Sequence, residues 1–159
     1  MIRWAAIHFV IALSWMFLSG NTTLGGLIAG LIGGFIMMRV FQNPLGCRDY
    51  IRRVVAAVVF LGRFLLMIVI SNLRIARAAL RRDAASLQGE FITYPIGDLN
   101  HFETLIICQC IGLTPGTIVA EQSEDGTVLI LHAFASGTPE EIRHSLDQEL
   151  KRGILAFTR

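Results

Sequence analysis

The sequence predicts an α+β membrane protein: an N-terminal transmembrane helical hairpin, a long third helix that is both apolar and basic, then a small cytoplasmic β-α-β-β-α domain. Three observations predict it. The chain is 53% hydrophobic and only 16% charged, with a mean hydropathy of +0.59, which is far from an ordinary soluble domain. From Trp4 to Met38 there is no Asp, Glu, Lys or Arg, and His8 is the one ionisable side chain. The net charge of +2 conceals a split: residues 1–82 carry ten arginines and one acid, Asp49, a formal +9, while residues 83–159 carry a formal −7. The basic half is also the apolar half. That pairing suits a lipid bilayer, and no exposed aromatic-plus-basic platform accompanies the arginines, so nucleic acid is not an expected partner.

The hairpin comes first. Gly20-Asn21-Thr22-Thr23 divides the uncharged run into segments 2–19 and 24–41, each about 27 Å long as helix and so just able to cross the hydrocarbon. An uncharged tip is cheap to carry across a membrane. A secretory signal over Met1–Gly20 is a weaker reading, because no small-x-small cleavage site appears and a second apolar helix follows at once. A re-entrant hairpin that dips in without crossing is a further alternative. In the second helix Gly26, Gly30 and Gly34 recur every four residues on one face, where a neighbouring helix can approach to backbone contact.

After a turn at Gln42-Asn43-Pro44-Leu45-Gly46, residues 48–82 read as one long helix. At about 100° per residue, Arg48, Arg52, Arg63, Arg74, Arg77 and Arg81 project within an arc of roughly 80°. These arginines are the candidates for contact with membrane or with other subunits. The third apolar segment, 54–72, holds a dozen Val, Leu, Ile and Phe residues, contributing roughly −4 to −7 kcal/mol to insertion against about +3 kcal/mol for a central Arg63. Insertion is therefore favourable, yet a third crossing would put Arg39, Arg48, Arg52 and Arg53 opposite Arg74, Arg77, Arg81 and Arg82, against the positive-inside rule. The number of spans stays at two or three. Arg63 itself needs an interfacial location or a partner, and with Asp49 the sole acid in this half, a partner from another chain is expected.

The membrane-embedded region is thus 1–82, followed by a linker at 83–89 and a domain at 90–159. The domain reads as strand Glu90–Ile96, helix Leu99–Leu113, strand Thr117–Glu121, strand Thr127–Phe134 and helix Pro139–Phe157, its sheet covered on one face by the two helices. Asp125-Gly126 marks a hairpin between the last two strands. Thr138-Pro139-Glu140-Glu141 is a helix start with cap, proline and closing glutamate, and Ile142, Leu146, Leu150 and Ile154 form the inward stripe. In Leu113-Thr114-Pro115-Gly116-Thr117, Pro115 fixes φ and Gly116 accepts a positive φ, so the pair is a structural turn from helix into strand.

Catalytic constellations are missing. The sequence has no phosphate-cradling glycine loop, no H-E-x-x-H, no G-x-S-x-G and no Cys-x-x-Cys, so neither an enzyme nor a cofactor or small-molecule substrate is expected. His101, Glu103, Cys108 and Cys110 are the nearest approach to a metal set, but the two cysteines sit about 200° apart on a helix and read as core residues. No metal site is predicted. The odd count of Cys47, Cys108 and Cys110 suits free thiols in a reducing compartment, which places the C-terminal domain in the cytoplasm. His132 reads as a core or edge histidine, and His8 as an interfacial one, with a proton-relay role as its rival.

The chain resembles the E subunit of the multisubunit Mrp-type cation/proton antiporters, also called Mnh or Pha complexes. The likeness rests on Ser14-Trp15-Met16-Phe17-Leu18-Ser19, on Ser71-Asn72 followed by Ile75-Ala76-Arg77, on Leu113-Thr114-Pro115-Gly116-Thr117, and on Val128-Leu129-Ile130-Leu131-His132-Ala133. The resemblance implies an accessory subunit of a sodium/proton antiporter in the cell membrane, needed for assembly or activity, with ion translocation left to larger subunits. Its partners would be other integral membrane subunits and the lipid bilayer. A membrane-tethered regulatory or ligand-binding module is the alternative.

Overall fold

The computed structural model describes residues 2–80, 89–133 and 138–159. The expected linker therefore lies outside the described residues, Gly89 excepted, as does Arg81. The chain divides into two compact units, Met1–Val55 and Ala56–Arg159. This division falls inside the long helix, ahead of the expected linker.

In the first unit, α1 (Ile2–Leu18) and α2 (Leu24–Val40), 17 residues each, fold back on one another. Gly20, at φ 65°, ends α1, and the Thr23 hydroxyl caps α2 by accepting from the Gly26 amide. Where a plain turn is expected, residues Gln42–Leu45 instead make one helical turn, α3, ended by Gly46 at φ 67°. Asn43-Pro44 permits this, because proline early in a helix sacrifices only an amide that has no partner there. Arg48–Leu80 is a single helix, α4, of 33 residues. Its first turn enters the core of this unit, where Met38, Cys47, Tyr50 and Ile51 are buried against Trp4, Ile11, Phe35 and Val54.

The second unit is built on a three-stranded antiparallel sheet in the order β1 (Glu90–Pro95), β3 (Val128–Ala133), β2 (Thr117–Gln122). Period-two alternation sends Ile92, Tyr94, Leu129, Leu131 and Ala133 inward. On the opposite face Phe91, His132 and Ile118 stand in one cross-strand row. The pairing of β2 slips at Val119–Glu121, a bulge, and β1 ends on Pro95. Asp125 builds the β2–β3 hairpin by accepting from the Ser123 and Thr127 hydroxyls and the Thr127 amide, with Gly126 at φ 70°.

Two helical stretches cover the inward face: α5 (His101–Leu113), and a C-terminal stretch made of α6 (Pro139–Leu146), a π turn (Asp147–Lys151) and α7 (Arg152–Thr158). A third helical piece joins them, since Phe60, Phe64, Met67 and Ile68 of α4 pack into the same core. The π turn corrects the expectation of an unbroken α-helix over Pro139–Phe157, and the stripe explains it. Residues spaced by four drift about 40° per step around an α-helix. Over Ile142, Leu146, Leu150 and Ile154 that drift would carry the last side chain off the core, and the wider π turn underwinds the helix to cancel it.

Candidate membrane and subunit-binding surfaces

In the first unit the glycine face of α2 is occupied by α1. A Cβ on Gly30 would lie 2.6 Å from the Ala12 carbonyl oxygen, and one on Gly34 would lie 3.0 Å from an Ile11 methyl. Gly26 packs in the same way on the Asn21 backbone of the connecting turn. The neighbour of this face is thus supplied by the same chain, and Gly26, Gly30 and Gly34 set the spacing of the hairpin.

His8 is buried here, a departure from the interfacial position expected for it. Its Nε2 lies 2.8 Å from the Leu31 carbonyl and its Nδ1 lies 2.7 Å from the Tyr50 hydroxyl. A carbonyl only accepts, so Nε2 carries a proton, while Nδ1 is paired with the Tyr50 hydroxyl. Both ring nitrogens are satisfied, which makes His8 a pin between α1, α2 and the start of α4. Sequence periodicity carries no trace of such a pairing between residues 42 positions apart.

The arginines form the second surface. Arg48 and Arg52 are exposed at the start of α4, where Arg52 lies 3.7 Å from Asp49 in a pair too solvated to contribute much. In the second unit Arg63, Arg74 and Arg77 are exposed. They lie beside the face that Phe60 and Phe64 bury. Phe60 stacks on Phe64 at 5.9 Å and meets Phe157 at 5.5 Å between ring centroids. A Cβ on Gly153 would collide with the Phe60 ring, so only glycine allows α7 this close to α4.

Two groups of charged side chains in the α+β domain join distant parts of its chain. Glu103 is fully buried at the third position of α5, where it accepts from the Asn100 amide at 2.9 Å and closes a capping box. It also accepts from the Thr158 hydroxyl at 2.7 Å and from the Arg159 guanidinium at 3.1 and 2.9 Å. Arg159 beside Glu103, outweighing burial and helped by the backbone and Thr158 bonds, holds its carboxyl down at about 2. The Asn100-x-x-Glu103 spacing was the available signal for the cap; the ion pair to Arg159 has none. In the other group Tyr94 donates to Asp147 at 2.7 Å and Lys151 pairs with Asp98 at 2.8 Å. Burial, then the Asp147 carboxylate, pushes the Tyr94 hydroxyl up, while Lys151 lowers Asp98.

Glu103 is therefore engaged by Asn100, Thr158 and Arg159. Cys110 is buried and its thiol is pushed up to about 11 by burial, while Cys108 is half-buried in the same core. Among the described residues no three His, Cys, Asp or Glu side chains are grouped to hold a metal. Thr114 ends α5 with its hydroxyl on the Cys110 carbonyl, and Gly116 turns the chain into β2 at φ 100°. Pro115 and Gly116 are placed at this turn.

The chain thus presents apolar and arginine-lined helix faces together with a small α+β domain. Residues 8–157 match the family described as MNHE, Na+/H+ ion antiporter subunit. The chain belongs to that family. The Na(+)/H(+) antiporter subunit E1 of Staphylococcus aureus strain bovine RF122 / ET3-1 is 23% identical over 146 residues, covering 92% of this chain and 91% of the relative, and the same protein of strain Newman aligns with the same identity and coverage. Among solved structures, a chain of the Mrp complex from Dietzia sp. DQ12-45-1b is similar over 60% of this chain and 94% of that one, with 22% identity and a TM-score of 0.42.

Proposed function

We propose that this chain is an accessory subunit of a multisubunit sodium/proton antiporter, anchored in the cell membrane by the α1–α2 hairpin with its α+β domain in the cytoplasm. The family match over residues 8–157 is the observation that carries the reading. A second consideration supports the accessory role. An ion or proton carrier uses ionisable groups within the membrane, and residues 1–82 contain one acid, Asp49, at the start of α4. His8, the remaining candidate, is held by two structural hydrogen bonds. The chain would then contribute to assembly while the ion path runs through other integral membrane subunits.

The reading is tested by tagging the chain in its native host and purifying it in mild detergent. Other antiporter subunits should co-purify, and deleting the chain should abolish sodium/proton exchange by the assembly. Exchange by the purified chain alone in liposomes would refute the accessory role.

A further inference from the structure

Resting on the reading that the α1–α2 hairpin is the membrane anchor, we propose that α4 does not cross the bilayer. Its outward face from Val58 to Arg77 lies in the headgroup boundary of an anionic cytoplasmic leaflet, with the α+β domain on its back.

Length and composition alone make Arg48–Arg77 a candidate span. Packing argues against it. Phe60, Phe64, Met67 and Ile68, the middle of the apolar stretch, share one core with Ile92, Leu129, Leu131, Leu150 and Ile154. A crossing helix would hold those four residues near the midplane and draw the domain in with them. Gly153 and Phe157 touch Phe60 directly, and close by in sequence are Lys151, paired with Asp98, and Arg159, paired with Glu103. Charged groups at the bilayer centre are costly even when paired. Carrying two such pairs toward the midplane opposes the insertion that the apolar residues of the segment would otherwise favour.

The outward face fits the interface in both shape and charge. Leu61, Leu65, Leu66, Val69, Ile70 and Leu73 are all about half exposed or more, and they cover an arc of roughly 180° opposite the domain. Arg63, Arg74 and Arg77 lie along one border of that arc, between the apolar face and the domain face, at the level where phosphates would meet an embedded helix. No acid occurs between Asp49 and Asp83. A face that is apolar and cationic, with the exposed Asn72 amide as its uncharged polar member and no acid, is complementary to anionic lipid. The burial problem posed by Arg63 disappears, because it never enters the hydrocarbon.

The test uses the full-length chain with its three cysteines replaced by alanine, spin-labelled singly at positions 61, 65, 69 and 73, in vesicles of phosphatidylethanolamine and phosphatidylglycerol. Depth is read from collision with oxygen against a water-soluble nickel chelate. All four labels should report one shallow depth, about 5–10 Å below the phosphates. A crossing helix would give depths that change steadily over the about 18 Å from position 61 to 73, and that profile would overturn the proposal. So would labels shielded from both reagents, the mark of a protein occupant. A label at Ile28 of α2 separates the two readings: it should be deep in either case, and a water-exposed Ile28 would sink the hairpin anchor itself. Should the alanine replacements unfold the chain, Arg63→Cys and Arg77→Cys in the native background keep the test decisive. Both should react with an impermeant maleimide from the cytoplasmic side, and reaction at opposite sides excludes an in-plane helix.

Discussion

Replacing Glu103 by Gln keeps the shape of the side chain and removes its charge. In the native domain the carboxylate takes the Asn100 amide, the Thr158 hydroxyl and two bonds from Arg159, while Gln must turn an amide NH2 toward at least one donor. Holding the carboxyl at about 2, from 4.5 when free, corresponds to about 3 kcal/mol of stability. For a chain of this size that is a fall in Tm of roughly 6–12 °C at pH 7. The pH dependence follows from the sign of the shift. A carboxyl lowered in the folded state stabilises fully above its unfolded value and loses that contribution as the pH falls toward its folded one. The gap between native and Glu103→Gln protein should therefore be constant from pH 7 to about 5 and close between about 4.5 and 2. Other lowered acids, Asp98 and Asp125 among them, titrate in both proteins and cancel in the difference. The assay is thermal unfolding of the full chain in detergent, followed by circular dichroism across that pH range. A gap that ignores pH, or widens as the pH falls, would refute the assignment of Glu103 as a buried charged anchor.

The other predictions probe the packing. Gly30→Ala forces a methyl group against the Ala12 backbone and should destabilise the hairpin by about 1–3 kcal/mol in detergent melts, whereas Gly33→Ala, which has open space around it, should be neutral or slightly stabilising. Tyr50→Phe removes the hydroxyl partner of His8 Nδ1 and should cost about 1–2 kcal/mol by the same measurement, with no matching loss from a control at exposed Phe41. Gly153→Val drives a branched side chain into Phe60. It should expose Phe60 and raise protease sensitivity of the domain, with Gly62→Ala unchanged; equal sensitivity of the two variants would show that α7 does not rest on α4. Tyr94→Phe leaves the Asp147 carboxylate without its phenol donor and should cost about 1–2 kcal/mol in thermal unfolding.

What the sequence revealed was whatever local chemistry determines. The uncharged run, the capped helix start at Thr138, the helix read over Leu99–Leu113, the Asp125-Gly126 hairpin and the alternating strands all follow from propensity and period, and each element is found within a few residues of its reading. The missed features are long-range. His8 with Tyr50 and Glu103 with Arg159 join residues far apart in the chain, where no periodicity reports a partner. The π turn was half legible: a stripe spaced strictly by four residues is already a hint of underwinding. The apolar stretch 54–72 is ambiguous for a physical reason, since a helix between a protein core and another apolar medium is hydrophobic nearly all round, as a spanning helix is.

Among the described residues β1 and β2 are the edges of the sheet, and each carries a feature that disfavours further pairing. β1 closes on Pro95, which has no amide to offer, and the bulge in β2 at Val119–Glu121 breaks the regular ladder a stray strand would need. Both features weaken the edges as templates for edge-to-edge aggregation.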